Sequence, residues 1–245
     1  MNYKVRLMLA ACVVLTTALV VVSCVSPAKE HLNKGNEYLE QGQYDEVIVE
    51  YTKALELEPQ LARGYDGRGL AYHKKGALDK AIADFDKAIE LDPSRAEVYY
   101  NRGNVYFERG QFQSAIANYD KAIVLDPRFA AAYNKRGYAY LYARGFDRAT
   151  ADFDKAVELN PRFAQAYNGR GLAYRNKNEL DKAIADFSKA IELDPNYAEA
   201  YFNRAYAYHR KGGEVAKAAS DLEKCIEMST DPRLLDAAKQ LLERL

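Results

Sequence analysis

The segment DKAIADFDKAIELDP, residues 79 to 93, returns at residues 181 to 195 as DKAIADFSKAIELDP, and the copies differ only at Asp86 and Ser188. A catalytic constellation is needed once in a chain, so such a close copy is more typical of a building unit than of a reacting site. Both copies end in a proline that belongs to a longer series. Prolines 34 residues apart are Pro59, Pro93, Pro127, Pro161 and Pro195. This strict period predicts a stacked array of repeats.

Aligned on these prolines, the chain divides into six units. The units are residues 28–61, 62–95, 96–129, 130–163, 164–197 and 198–232. Apolar and small residues follow helical spacing twice in each unit, as Tyr65, Gly69 and Tyr72 do in one half of the second unit and Ala81 and Phe85 do in the other. The proline ends the second helix because it has no N–H to donate. We therefore expect each unit to form an antiparallel helix hairpin.

A glycine marks the turn between the two predicted helices. Gly76 stands where the first helix of the second unit should end. Glycine suits a helix end because it adopts the left-handed conformation at little cost. We assign the same role in the other units to Gly42, Gly110, Gly145 and Asn178.

The pattern resembles the tetratricopeptide repeat family over residues 28 to 232. In the second unit, Tyr65 stands where the family usually has Trp, Gly69 matches its small residue, and Tyr72 matches its aromatic position. The resemblance implies an all-α fold, a right-handed α-solenoid of six helix hairpins. Residues 233–245 are predicted to form a leucine-rich capping helix that follows the last hairpin. The resemblance also implies that the first helices line a concave face that holds an extended peptide or a partner helix.

The residues expected on this concave face differ between units, which points to recognition. Asparagine amides can pair in two directions with a peptide backbone, while Tyr and Phe supply contact area at little cost in side-chain entropy. The predicted peptide-binding groove consists of Tyr100, Asn101, Asn104, Phe107, Asn134, Lys135, Tyr138, Tyr142, Asn168, Leu172, Phe202, Asn203 and Tyr206. The alternative is that these side chains only pack adjacent first helices together. The Lys and Asn clamp with which some relatives hold a chaperone's C-terminal carboxylate is absent, since Leu32, Asp66 and Gly67 occupy three of its positions.

A basic residue recurs where the family commonly has Leu. These residues are Arg68, Arg102, Arg136, Arg170 and Arg204, with Lys34 in the first unit. Sixteen or seventeen residues after them come Asp84, Asn118, Asp152, Asp186 and Asp221, with Glu50 after Lys34. Mostly opposite charges repeated in step predict a bridge between the two helices of each unit. The alternative is a row of arginines that binds a ligand.

The N-terminal segment has a different composition from the repeats. Lys4 and Arg6 precede an uncharged apolar run at residues 7–22. As a helix this run would extend for roughly 24 Å at about 1.5 Å per residue, less than the ~30 Å hydrocarbon core of a membrane. A cleaved signal peptide therefore fits better than a permanent span, although a single-pass N-terminal anchor is the alternative.

The sequence VVSC at residues 21–24 resembles the lipobox of bacterial lipoproteins. The resemblance implies removal of residues 1–23 and attachment of lipid, including palmitate, to Cys24, with residues 24–27 as a short linker. The repeats would then face the periplasm or the extracellular side. Val25 after the cysteine favours the outer membrane if the host is Gram-negative.

Composition and motifs give no reason to expect catalysis, metal binding or nucleic-acid binding. Lys plus Arg and Asp plus Glu both total 35, so no excess positive charge favours nucleic acid. His31, His73 and His209 belong to three different units and are not expected to converge on a metal. No nucleophile with a base and an oxyanion site stands out. We predict no enzyme activity, no cofactor and no metal.

These observations favour a membrane-tethered protein–protein interaction scaffold. Its partners would be proteins or peptides of the cell envelope, held as segments or helices in the concave groove. A structural homo-oligomer, built through the terminal helix or the groove, is the main alternative, and an enzyme is the other.

Overall fold

The computed structural model describes residues 26–245, which form thirteen α-helices. The helices are α1 (Pro27–Glu40), α2 (Tyr44–Leu57), α3 (Ala62–Lys74), α4 (Leu78–Leu91), α5 (Ala96–Glu108), α6 (Phe112–Leu125), α7 (Ala130–Tyr142), α8 (Phe146–Leu159), α9 (Ala164–Asn176), α10 (Leu180–Leu193), α11 (Ala198–Lys211), α12 (Val215–Met228) and α13 (Pro232–Leu242). The predicted signal peptide and Cys24 lie outside the described residues. Within the described part, none of the helices has the length and apolar character needed to cross a membrane.

The helices form six hairpins stacked in chain order, from α1 with α2 to α11 with α12. Each first helix, the odd-numbered one, contacts the first helix of the next hairpin. Consecutive second helices make no such contact anywhere in residues 26–245. The array therefore curves with its first helices on the inner side. This confirms the all-α solenoid predicted from the period.

The core consists of rings from second helices packed against small residues of first helices. A Cβ atom added to Gly137 on α7 would lie 2.9 Å from Cε1 of Phe153 on α8, and one added to Gly169 on α9 would lie 2.4 Å from the same atom. The Phe153 ring therefore touches the backbones of two neighbouring hairpins. This close approach explains why the signature requires a small residue opposite a large one.

The terminal helix α13 covers the exposed end of the last hairpin. Asp231 caps it by accepting a hydrogen bond from the backbone N–H of Arg233 at 2.9 Å. Its Ala238 and Leu241 pack against Leu222 and other buried residues of α12. This contact agrees with the predicted capping role.

The turns correct one prediction. Gly42, Gly76 and Gly110 have positive φ angles, as does Asn178 with φ 63°. In the fourth hairpin, however, the left-handed residue is Arg144, with φ 62°, while Gly145 has φ −85° and is the N-cap of α8. The period of 34 residues places this turn position at 144, so the assignment of Gly145 was wrong by one residue.

The predicted bridges within a hairpin are present in five units. Arg136 donates to both carboxylate oxygens of Asp152, from Nε at 2.8 Å and from Nη2 at 2.6 Å. Arg68, Arg170 and Arg204 make the same two-pronged contact with their own aspartates. Arg102 donates to Oδ1 of the neutral Asn118 at 2.8 Å. These contacts confirm the structural interpretation of the arginine row.

The same arginines also contact the preceding hairpin, which was not predicted. Nη1 of Arg136 donates to Asp120 at 2.6 Å and Nη1 of Arg170 donates to Asp154 at 2.7 Å. The equivalent acceptors of the other arginines are Thr52, Asp86 and Ser188. Each guanidinium thus joins the second helices of two neighbouring hairpins, and we call this series the arginine ladder.

The first hairpin departs from the ladder, and the predicted bridge from Lys34 to Glu50 is wrong. Lys34 pairs instead with Glu30 in its own helix at 2.8 Å. The Glu50 carboxylate instead contacts Nδ1 of His31 at 2.6 Å and Nζ of Lys53 at 2.7 Å. The Glu50 carboxylate is therefore already satisfied, and these hydrogen bonds lower its pKa.

Candidate peptide-binding groove

The inner face carries a hollow where α3, α5 and α7 meet. Its volume is about 460 Å³. The side chains around it are Leu70, His73, Lys74, Tyr100, Asn101, Asn104, Phe107, Glu108 and Lys135. Five predicted groove residues, Tyr100, Asn101, Asn104, Phe107 and Lys135, therefore lie around one depression, which we call the α3–α5–α7 hollow.

One side of the hollow is aromatic. The rings of Phe107 and Tyr142 lie 5.5 Å apart edge to face, and Phe112 at the start of α6 stacks on Tyr142 at 5.2 Å. Nζ of Lys135 lies 5.9 Å from the centre of the Phe107 ring. Tyr142 is 60% exposed while Phe107 and Phe112 are half-buried, so this cluster offers an aromatic surface to a ligand mainly through Tyr142.

Two amides of α5 lie beside these rings. Asn101 donates from Nδ2 to buried Asp66 at 3.3 Å, and Oδ1 of Asn104 accepts from the Tyr119 hydroxyl at 2.9 Å. Within residues 26–245, Oδ1 of Asn101 forms no hydrogen bond, whereas the Asn104 amide also interacts with the Tyr100 hydroxyl. The Asn101 oxygen is thus available as an acceptor on this helix face, which suits an N–H group of a peptide backbone.

Charged groups in and beside the hollow connect α3 to α5 and to the turn before α5. Burial raises the pKa of Asp66, although Arg95 donates to this carboxylate at 2.9 Å. His73 on α3 lies 2.8 Å from Glu108 on α5, measured from Nε2 to Oε1. These contacts fix the two first helices relative to each other, and so fix the shape of the hollow.

Three predicted groove residues are not available to a ligand. Asn134, Asn168 and Asn203 are each less than a tenth exposed. Asn203 donates to Oδ1 of Asn168 at 3.0 Å, and Asn168 donates to the Tyr197 hydroxyl at 3.2 Å. For these three residues the structure favours the alternative, packing between adjacent first helices.

The remaining predicted residues lie further along the inner face. Tyr138 is largely buried and donates to the backbone oxygen of Gln165 at 3.0 Å, which joins α7 to α9. Leu172 and Phe202 are half-buried, and Tyr206 is exposed. The predicted residues therefore fall into three groups. One group lies around the α3–α5–α7 hollow, a second packs adjacent first helices together, and a third lies on α9 and α11. The packing group consists of Asn134, Tyr138, Asn168 and Asn203.

Sequence models identify the repeat directly. Models described as TPR repeat match residues 35–76, 69–108, 103–143 and 171–212, and models described as tetratricopeptide repeat match residues 130–163, 153–185 and 198–232. The chain belongs to the tetratricopeptide repeat family. No curated protein matches the sequence significantly.

Solved structures agree with this assignment. A MamA protein is 31% identical, with 71% of this chain and 94% of that chain covered and a TM-score of 0.62. YrrB, described as a tetratricopeptide repeat protein with an unusual peptide-binding site, is 30% identical, with 78% and 97% covered and a TM-score of 0.61. A tetratricopeptide repeat protein from Parabacteroides merdae shares the fold at 22% identity, with 89% and 86% covered and a TM-score of 0.75.

Several residues around the hollow were missed by sequence reasoning. The unpredicted side chains are Leu70, His73, Lys74, Glu108 and Phe112. Leu70 and His73 stand 34 residues before Asn104 and Phe107, so the repeat period could have found them. Phe112 belongs to a second helix and reaches the cluster only across the turn, which the period does not show.

Proposed function

We propose that this protein is an interaction scaffold that binds an extended peptide segment across the α3–α5–α7 hollow. The observation that carries the proposal is the position of the aromatic cluster, with its exposed Tyr142, beside the free Oδ1 acceptor of Asn101. The rings supply apolar contact area, and Asn101 supplies an acceptor for an N–H group of a peptide backbone. The description of YrrB as a peptide-binding relative supports the same function here.

We further propose that the scaffold is tethered to a membrane through lipid on Cys24 and that its partners are cell-envelope proteins. The support is the apolar segment followed by VVSC in the sequence. Because α1 begins at Pro27, only residues 25 and 26 would separate the lipidated cysteine from the first helix. Such a short linker would hold the array close to the membrane surface.

A library of random linear peptides tests the binding function. We expect the wild-type protein to enrich a family of peptides, and Phe107→Ala and Tyr142→Ala to weaken their binding about tenfold or more, as loss of an aromatic anchor does. Val124→Ala is the matched control because Val124 is 71% exposed on the second helix α6. Enriched peptides that bind both aromatic variants as tightly as the wild type would refute the groove.

Metabolic labelling in a Gram-negative host tests the tether. We expect labelled palmitate on the wild-type protein and none on Cys24→Ser, with accumulation of the uncleaved form under globomycin. Cys225→Ser is the control, because this cysteine is buried in the last hairpin. An unlabelled wild-type protein would exclude the lipid anchor while leaving the peptide groove untouched.

A further inference from the structure

Arg175 and Arg210 lie on neighbouring first helices at the far end of the inner face. Arg175 on α9 is half-buried and lies over the Tyr206 ring, 5.0 Å from its centre. Arg210 on α11 is exposed and donates to the backbone oxygen of Arg175 at 3.4 Å and to Asn178 at 2.9 Å. Neither arginine forms an ion pair with a carboxylate in the part of the chain that the structure describes.

This arrangement is exceptional among the arginines of residues 26–245. The half-buried arginines 68, 95, 102, 109, 136, 170 and 204 all contact an aspartate. Apart from Arg175, the arginines in residues 26–245 that lack a carboxylate partner are exposed to solvent. A partly buried cation without a counter-charge is costly, and an anion bound there would remove that cost.

The geometry leaves room for such an anion. Arg175 donates from Nη1 to Oδ1 of Asn203 at 3.1 Å, while its Nε and Nη2 groups bind nothing within residues 26–245 and are not sealed from solvent. Nε and Nη2 are the two donors that contact the aspartate in the arginine ladder, for example from Arg170 to Asp186. Arg175 thus offers the same pair of N–H donors, Nε and Nη2, but no carboxylate of residues 26–245 accepts from them.

The pKa of Arg175 also indicates that its positive charge lacks a counter-charge. Burial is the main cause that lowers the pKa of Arg175, and the charge of Arg210 lowers it further, although Tyr206 opposes this. The side chains that contact the two arginines, Asn178, Asn203 and Tyr206, are not carboxylates. A carboxylate bound at the free N–H donors of Arg175 would therefore find no acidic competitor among these contacts, and the charge of Arg210, which already acts on Arg175, would add to the attraction.

We propose that Arg175 and Arg210 bind the carboxylate of an Asp or Glu side chain in the segment that occupies the groove. This inference rests on the proposed function and adds a chemical preference to it. Phe107 on α5 and Arg175 on α9 occupy the same position in units two repeats apart. The bound segment would thus place apolar side chains at the α3–α5–α7 hollow and an acidic side chain further along.

Peptide display at the N-terminus of a coat protein tests this site, because the displayed peptides have no free C-terminal carboxylate. We expect the wild type to enrich peptides with an acidic residue at one position relative to their apolar residues. Arg175→Gln and Arg210→Gln should lose that acidic preference while still enriching apolar peptides. Arg128→Gln, an exposed arginine that precedes α7, is the matched control and should keep it.

A double-mutant cycle makes the test quantitative. Replacing the selected Glu or Asp by its amide should weaken binding to the wild type about tenfold, and should change binding to Arg175→Gln little. An equal loss in both proteins, or enriched peptides without an acidic preference, would overturn the anion site alone. If no peptide is enriched, the proposed binding function fails, and the anion site fails with it.

Discussion

Arg204 donates a hydrogen bond from Nη1 to the hydroxyl of Ser188 in the preceding hairpin, at 3.0 Å. Its Nε and Nη2 groups bind both carboxylate oxygens of Asp221 at 2.7 Å. The charge of Arg204 is therefore balanced by Asp221 in its own hairpin, so its acceptor in the preceding hairpin, Ser188, can be neutral.

In the other copy of the repeated segment the charged and neutral partners are exchanged: the carboxylate lies in the preceding hairpin and the neutral partner in the arginine's own hairpin. Asp86, which replaces Ser188 there, contacts Arg102 of the following hairpin. The partner of Arg102 within its own hairpin is the neutral Asn118. The single difference between the two copies thus keeps at least one carboxylate on each arginine.

The ladder predicts unequal effects for two similar substitutions. Arg136→Leu leaves buried Asp152 without its partner, so we expect a loss of about 3 kcal/mol in the free energy of unfolding. Arg102→Leu leaves neutral Asn118 without a donor, and we expect a loss of about 1 kcal/mol. Urea unfolding at neutral pH measures both. Unchanged stability of Arg136→Leu would contradict a structural role and would revive a ligand-binding arginine row.

The turn before α8 contains a correctable strain. Arg144 has φ 62°, a region that glycine enters more readily. Arg144→Gly should therefore raise the free energy of unfolding by about 1 kcal/mol, because the Arg144 side chain is exposed and its replacement relieves the backbone strain. Asn178→Gly at the equivalent turn should gain less, because asparagine tolerates this region. Thermal melts of the two variants provide the comparison, and an equal or larger gain at Asn178 would contradict it.

The buried asparagines predict a pair of opposite effects. Oδ1 of Asn134 is buried without a hydrogen bond, because Gly169 occupies the position from which Asn203 donates to Oδ1 of Asn168 one unit later. Asn134→Leu should therefore be neutral or stabilising. Asn168→Leu should cost about 1 to 3 kcal/mol, since it leaves polar partners unpaired. Chemical unfolding distinguishes them, and a larger loss at Asn134 would be the contrary result.

The thiol of Cys225 should react slowly. This residue is buried in the last hairpin, and burial raises its pKa to about 11. The alkylation rate of the folded protein should rise about tenfold per pH unit from neutral pH to pH ~9 without levelling off. A plateau near pH ~8.5, absent from Cys225→Ala, would indicate an ordinary exposed thiol instead.

The period of 34 residues was sufficient to predict the hairpins, the core rings and the bridges within the second to sixth hairpins, but the bridge that it predicted in the first hairpin was wrong. It could not show the second contact of each ladder arginine, because Asp120 and Asp152 lie equally far from Arg136 along the chain on opposite sides. Nor could it show that Asn168 and Asn203 face each other, since that depends on how neighbouring first helices stack. The turn at Gly145 was misplaced because residue type was given more weight than register.

Sharing a guanidinium between hairpins has a consequence for how the protein comes apart. If one hairpin unfolded, an arginine or an aspartate of the neighbouring hairpin would lose its ion-pair partner. The remaining charge would then be left unpaired in a half-buried position. That penalty opposes fraying from the ends and links the units energetically beyond their apolar contact. We expect the array to lose its structure in one cooperative step, so that the inner surface is either whole or absent.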